Sequence, residues 1–269
     1  MKKTICLFLG VTLLCSMFML SSCSKKDDVE GNDEDPVDLI EDEAGGISGL
    51  GDNGGNLGGV TFVLPEGIDV VGKIMGFSEN NTSSGINSST SFPKSEILVN
   101  RMNETQTSSL RASAAYDVII GSGGLVTVKI SLKNTTSNKI VVNFPAGLIF
   151  ESISGAYQNG ILMKKCKATV PANKTYDVVL HLYCGNLSRH VSDPSAEYKW
   201  PIRTNSASLM ELCDLLKNKK INYEEYSGLG QLQYIILIIT VQTVVWDISD
   251  DDEGLSDSNR KTISDLPKS

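Results

Sequence analysis

The sequence predicts a mostly β protein, a β-sandwich of Greek-key, Ig-like or jelly-roll-like connectivity with a helical insertion and a C-terminal helical segment. Three observations carry that prediction. Apolar and polar residues alternate with period two in "GLVTVKISLKN" and "TYDVVLHLYC", the spacing that sends successive strand side chains to opposite faces. Turn-forming clusters, "NTTSN" and Pro171 to Lys174, interrupt these runs at strand-like intervals. One stretch, "SASLMELCDLLKNKK", instead repeats its apolar residues at i, i+3, i+4 and i+7 behind a capping serine.

The chain opens on Met1-Lys2-Lys3 and runs almost without polarity from Ile5 to Leu20. This is the pattern of a secretory signal peptide, residues 1–22; the run is shorter than the roughly 20 apolar residues of a spanning helix. "Leu20-Ser21-Ser22-Cys23" resembles the lipobox of bacterial lipoproteins. The resemblance implies acylation of Cys23 and a membrane as its partner, each buried CH₂ contributing about 0.8 kcal/mol. Lys25-Lys26-Asp27-Asp28 resembles the charged export tag of Bacteroidota surface lipoproteins. It implies an outer-membrane lipoprotein exposed at the surface, with the periplasmic face as the alternative.

Residues 23–59 read as a lipidated acidic and glycine-rich tether. Without the two signal lysines the chain has 22 basic and 32 acidic residues. Eleven of those acids, against Lys25 and Lys26 only, fall between Ser24 and Gly59. With "GGISGLGDNGGNLGG" behind them and almost no aromatic or β-branched content, these residues lack the apolar surface to order themselves. A random coil of that length spans about 30–36 Å. The remainder is close to neutral, so no basic face is predicted and nucleic acid is excluded as a partner.

The body divides into residues 60–112, N-terminal strands and a long polar loop, and residues 113–269, a β-sandwich domain with a helix near 206–220. "VTFVLPEG" and "KIVVNFPAGLIFESI" read as strands, and Asn159-Gly160 between apolar runs is a hairpin signal. Pro171 to Lys174 is expected to fold "ILMKKCKATV" back onto "TYDVVLHLYC". In the helix, Leu209, Leu212, Cys213 and Leu216 share one face, Ser206 is the cap, and Lys217, Lys219 and Lys220 are expected in the last turn. "LQYIILIITVQTVVWDI" is apolar on every side. For residues 232–248 the β-branched density favours a strand and the length permits a helix. "DDDEGLSDSNRKTISDL" reads as an acidic loop and a short helix.

Apart from the signal and Cys23, three cysteines remain: Cys166, Cys184 and Cys213. An odd number in an oxidising compartment leaves at least one unbridged, and Cys184–Cys213 is a candidate disulfide. In "TYDVVLHLYC" the alternation places Val178, Leu180, Leu182 and Cys184 on the core side, with Val179, His181 and Tyr183 opposite. "YCGN" together with "VQTVVWDIS" resembles the two signature blocks of the thioester domains of Gram-positive surface adhesins. The resemblance implies a bond between the Cys184 thiol and the Gln242 side chain, with Tyr183, Asn186 and Trp246 supporting it. Gly185 stands where that family has an apolar residue, and Val241 where it has threonine. The alternative is that Cys184 packs or bridges and that Gln242 is a satisfied core amide.

Other chemistry has weaker signals. His181 and His190 are the only histidines, and a Cys184–His190 pair has no accompanying signature. Asp250 to Glu253 offer hard-cation ligands but miss the spacing of a calcium loop. The sequence has no glycine-rich phosphate cradle in the body, no CxxC pair and no HExxH, so it calls for no metal and no cofactor. The expected function is a non-enzymatic, lipid-anchored binding or adhesion module for a host or cell-surface protein or glycan. A thioester-type covalent adhesin is the alternative.

Overall fold

The computed structural model describes residues 29–31, 37–78, 116–226 and 231–269. The signal peptide, Cys23, the charged tag and nearly all of the polar loop of 78–91 lie outside the described residues, as do residues 92–112. Within them the protein is mostly β. Among the described residues twelve strands form two sheets, and three helices cover part of one of them.

The large sheet contains β2 (Gly59–Thr61), β3 (Ile68–Gly76), β4 (Val118–Gly121), β5 (Val126–Asn134), β7 (Leu148–Phe150), β8 (Gly160–Leu162), β10 (Thr175–Cys184), β11 (Glu197–Tyr198) and β12 (Ile202–Thr204). Its order is β11-β3-β5-β10-β8-β7-β12-β2, with β4 parallel to β10. The small sheet is β1 (Val29–Gly31), β6 (Ile140–Phe144) and β9 (Cys166–Val170), in the order β1-β6-β9. Period-two alternation is what lets the large sheet bury both faces. Val178, Leu180 and Leu182 of β10 pack with Val142, Phe144, Ala168 and Val170 of the small sheet to make the sandwich core. Ile149, Ile161 and Tyr183, each one residue out of phase, face a second core built with the helices.

Those helices are α1 (Ala207–Leu216), α2 (Gln231–Ser249) and α3 (Asp257–Ser264), with a 3₁₀ turn at Tyr223–Tyr226. Ser206 caps α1 as the spacing predicts, its hydroxyl accepting from Leu209 N. The helix stops one turn early, so Lys217 is its C-cap and Lys219 lies beyond, buried, with Nζ donating to the carbonyls of Ser264 and Leu266. Residues 231–249 are helix and not the favoured strand. Burial of Tyr234, Leu237, Ile238, Val241, Val245 and Ile248 against the rest of the body overrides the modest helix penalty of β-branched residues, although Ile236 stays exposed. The hydroxyls of Thr240 and Thr243 donate to the carbonyls of Ile236 and Ile239, four residues back, so these polar groups need no external partner. Among the described residues, no helix is long and apolar enough to cross a membrane.

Several links differ from the sequence reading. Asn159-Gly160 is no two-residue turn, because β7 and β8 pair through Leu148↔Leu162 and Phe150↔Gly160 and leave 151–159 as the loop. Gly160 is instead a close-packing position, where a Cβ would come within 2.5 Å of Leu182. Pro171 to Lys174 joins strands of different sheets, since β9 pairs with β6 whereas β10 pairs with β5, β4 and β8. β3 pairs with β5, so residues 59–76 belong to the same sheet as the rest and form no separate lobe. The largest correction concerns the tether. Residues 37–59 do not run free: Ile47 and Leu50 are buried in the helix-side core, and Leu50 is wholly inaccessible. The segment has only these few apolar anchors, and its glycines let the backbone approach the body closely enough to hydrogen-bond instead.

Candidate functional site

β10 ends at Cys184, where three segments far apart in sequence converge. The ladder to β5 stops at Leu182↔Val126. On β10's other side Tyr183 and Cys184 register with Ile161 and Gly160 of β8. The backbone of Cys184 therefore faces a position that β5 no longer fills, and α2 supplies the missing partner. Gln242 Oε1 accepts from Cys184 N at 2.8 Å, and Gln242 Nε2 donates to Cys184 O at 2.8 Å. A side-chain carboxamide thus stands in for the peptide group of a further strand residue. One helical turn on, Trp246 Nε1 donates to Cys184 Sγ at 3.4 Å. The spacing of Gln242 and Trp246, four residues apart on a helix, puts both on the face toward β10.

The turn after the strand completes the sulfur's surroundings. Asn186 N donates to Cys184 Sγ at 3.4 Å, and the thiol lies 3.3 Å from Asn186 O as a donor. Cys184, Asn186, Gln242 and Trp246 are all fully buried. The junction is closed to solvent and its polar groups are hydrogen-bonded, which is the condition for burying them at tolerable cost. The structure therefore brings together four of the five residues singled out for this chemistry. Tyr183 is the exception. It points to the helix-side core, as strand alternation requires, and burial pushes its phenol well above the ordinary tyrosine value.

Among the described residues, no disulfide joins Cys166, Cys184 and Cys213. The expected Cys184–Cys213 bridge is absent because Cys184 belongs to the sandwich core and Cys213 to the helix-side core. Cys166 is buried on β9, where desolvation above all, and then the nearby Glu224, hold its thiol well above the usual value. His190 lies against Tyr157, with ring centroids 6.3 Å apart. Asp250 serves the turn rather than a cation: Leu187 N donates to Oδ1 at 2.8 Å and Ser249 Oγ to Oδ2 at 2.6 Å. Desolvation raises its carboxyl above the ordinary range despite those two bonds.

What the sequence reading missed is the strap over the junction. Gly51 N donates to Gly185 O at 2.7 Å, Asn186 Nδ2 to Gly51 O at 2.8 Å, and Asn159 Nδ2 to Gly49 O at 3.0 Å. Asn159 also receives Ser152 N on its Oδ1 and donates its own N–H to Asn186 Oδ1, both at 2.9 Å. Gly185, the departure from the adhesin pattern, has a local reason, since a Cβ there would come within 2.9 Å of Leu50 and 3.0 Å of Ile161. Gly51 has φ +58 and would place a Cβ 2.1 Å from Ser249 O, so only glycine fits. The sequence signals for this strap were Ile47 and Leu50, isolated apolar residues in a glycine-rich run. Set against protein-family models, curated proteins and solved structures, the chain matches none of them.

Proposed function

We propose that this chain is a lipid-anchored, non-enzymatic attachment module of the bacterial outer membrane, tethered through Cys23 and displayed at the cell surface. We further infer that its bond-forming centre is the Cys184–Gln242 junction. The observation supporting this is that the Gln242 carboxamide, 58 residues on in sequence, bonds the backbone of Cys184 while Trp246 Nε1 and Asn186 N donate to its sulfur, all four residues being buried. Attack of Sγ on Gln242 Cδ breaks the C–N bond, passes the thiol proton to nitrogen and releases ammonia, leaving a thioester. A partner's amine then attacks the same carbon, the C–S bond breaks, and an amide links partner to module. The departing sulfur takes up the amine's proton, its transient charge stabilised by the N–H groups of Trp246 and Asn186. Apolar walls protect the thioester from hydrolysis until such a partner arrives.

Intact mass of the mature chain tests this. A mass lower by one ammonia, which methylamine addition carries to one CH₂ above the unmodified chain, with neither change seen in Cys184→Ala, is the expected result. A mass without that ammonia deficit makes Gln242 a packing clamp and ends the covalent reading. Saturable turnover of hydrolase substrates by the mature chain contradicts the attachment class as a whole.

A further inference from the structure

A second site lies apart from Cys184. A cavity of about 1020 Å³ opens where the end of β6, the β8–β9 link and the 3₁₀ turn meet. At that volume it sits at the upper end of small-ligand pockets, large enough for a short chain of sugar rings. Its wall carries five cationic side chains against two carboxylates, in a chain whose net charge is −8. Strand alternation produces this: in "KKCKATV" Cys166 and Ala168 turn into the core, while Lys165 and Lys167 are exposed on the outer face. Among the described residues, neither Lys165 nor Lys167 is paired with an acid.

The floor beneath these lysines is built. Lys164, only 8% exposed, pairs with Glu225 at 2.7 Å and donates to the Lys219 carbonyl. Glu225 in turn accepts from Ile221 N at 2.9 Å and Asn222 N at 2.8 Å. Asn222, 3% exposed, lines the cavity and donates Nδ2 to Lys165 O at 3.0 Å and Glu224 Oε1 at 3.2 Å. Its Oδ1, buried, accepts from no described group. A buried acceptor without a partner costs about 1–3 kcal/mol, and a ligand hydroxyl would remove that cost.

We propose that this cavity binds an acidic oligosaccharide, its carboxylate or sulfate groups on Lys165 and Lys167 and a hydroxyl on Asn222 Oδ1. Both requirements, negative charge and hydroxyl donors, are met by one molecule of that class. Single-stranded nucleic acid fits poorly, because the aromatic residues of the wall, Phe62 and Phe144, are themselves buried and offer no stacking platform. The proposal rests on the attachment reading and names its partner class. It uses none of the Cys184 junction, so failure of the mass experiment leaves it standing.

Isothermal titration of the mature chain with tetragalacturonate, a heparin-derived tetrasaccharide, neutral maltotetraose and tetraglutamate tests it. Saturable binding is expected for at least one acidic tetrasaccharide, and for neither maltotetraose nor tetraglutamate. The double variant Lys165→Gln, Lys167→Gln should weaken that binding about tenfold, the loss of two modest charge contacts, with an unchanged unfolding midpoint. Asp214→Asn, which alters charge just outside the cavity wall, should leave the affinity within about twofold. Failure of every acidic tetrasaccharide to bind overturns the proposal. So does equal binding of maltotetraose or tetraglutamate, or full affinity in the double variant.

Discussion

Gln242 does with one side chain what a strand does with its backbone. Its carboxamide satisfies both the N–H and the C=O of Cys184, so Gln242→Leu orphans two buried groups while keeping the volume. The expected loss is about 2–4 kcal/mol, read as a lower urea midpoint with unchanged slope; a change within error would mean that these bonds contribute nothing. His181 carries a different signature. Its Nδ1 is buried without a described partner, its ring is 5.1 Å from that of Tyr223, and desolvation lowers its pKa to about 4 against a hydrogen bond with Gly123 that pulls upward. Between about pH 6.5 and about 4 the unfolded chain binds a proton that the folded chain refuses. Stability therefore falls as pH falls through that window, by about 1–3 kcal/mol. His181→Phe keeps a ring beside Tyr223 and should flatten that part of the profile; parallel curves for parent and variant would contradict it.

At the scale of elements, what was legible in the sequence followed periodicity. The two faces of β10 and the cap of α1 were readable because alternation and capping are local. α2 was not, since its choice between strand and helix is decided by the sheet and helices packed around it rather than by its Ile, Val and Thr content. The strap of residues 37–57 was hidden for the opposite reason. Its composition matches a disordered spacer, and its order depends on a few anchors in the body. Asp42 accepts from Ser206 Oγ and Ser208 N at the start of α1, and Leu50 is the apolar anchor. Leu50→Ala should cost about 2–4 kcal/mol, with new proteolytic cleavage between 37 and 57 before the body unfolds. Unchanged stability and protection would return these residues to the role of a loose tether.

As a whole molecule, the protein is a sheet with a second sheet on one face and helices on the other, and the Cys184 junction sits where these layers meet. The motifs "YCGN" and "VQTVVWDIS" were visible as strings, but their meeting was not, because a contact across 58 residues is a property of topology. The large sheet fixes where β10 ends, α2 brings Gln242 and Trp246 to that end, and the strap closes over it. Peptide mapping under non-reducing, amine-free conditions, with digestion near neutral pH and acidification straight afterwards, tests the central claim most directly. Trypsin cuts out residues 175–189, carrying Cys184, and residues 221–260, carrying Gln242. The account predicts that these two peptides are recovered joined and short of one ammonia, and that methylamine separates them with its label on Gln242. Recovery of both as separate, unmodified peptides would contradict it.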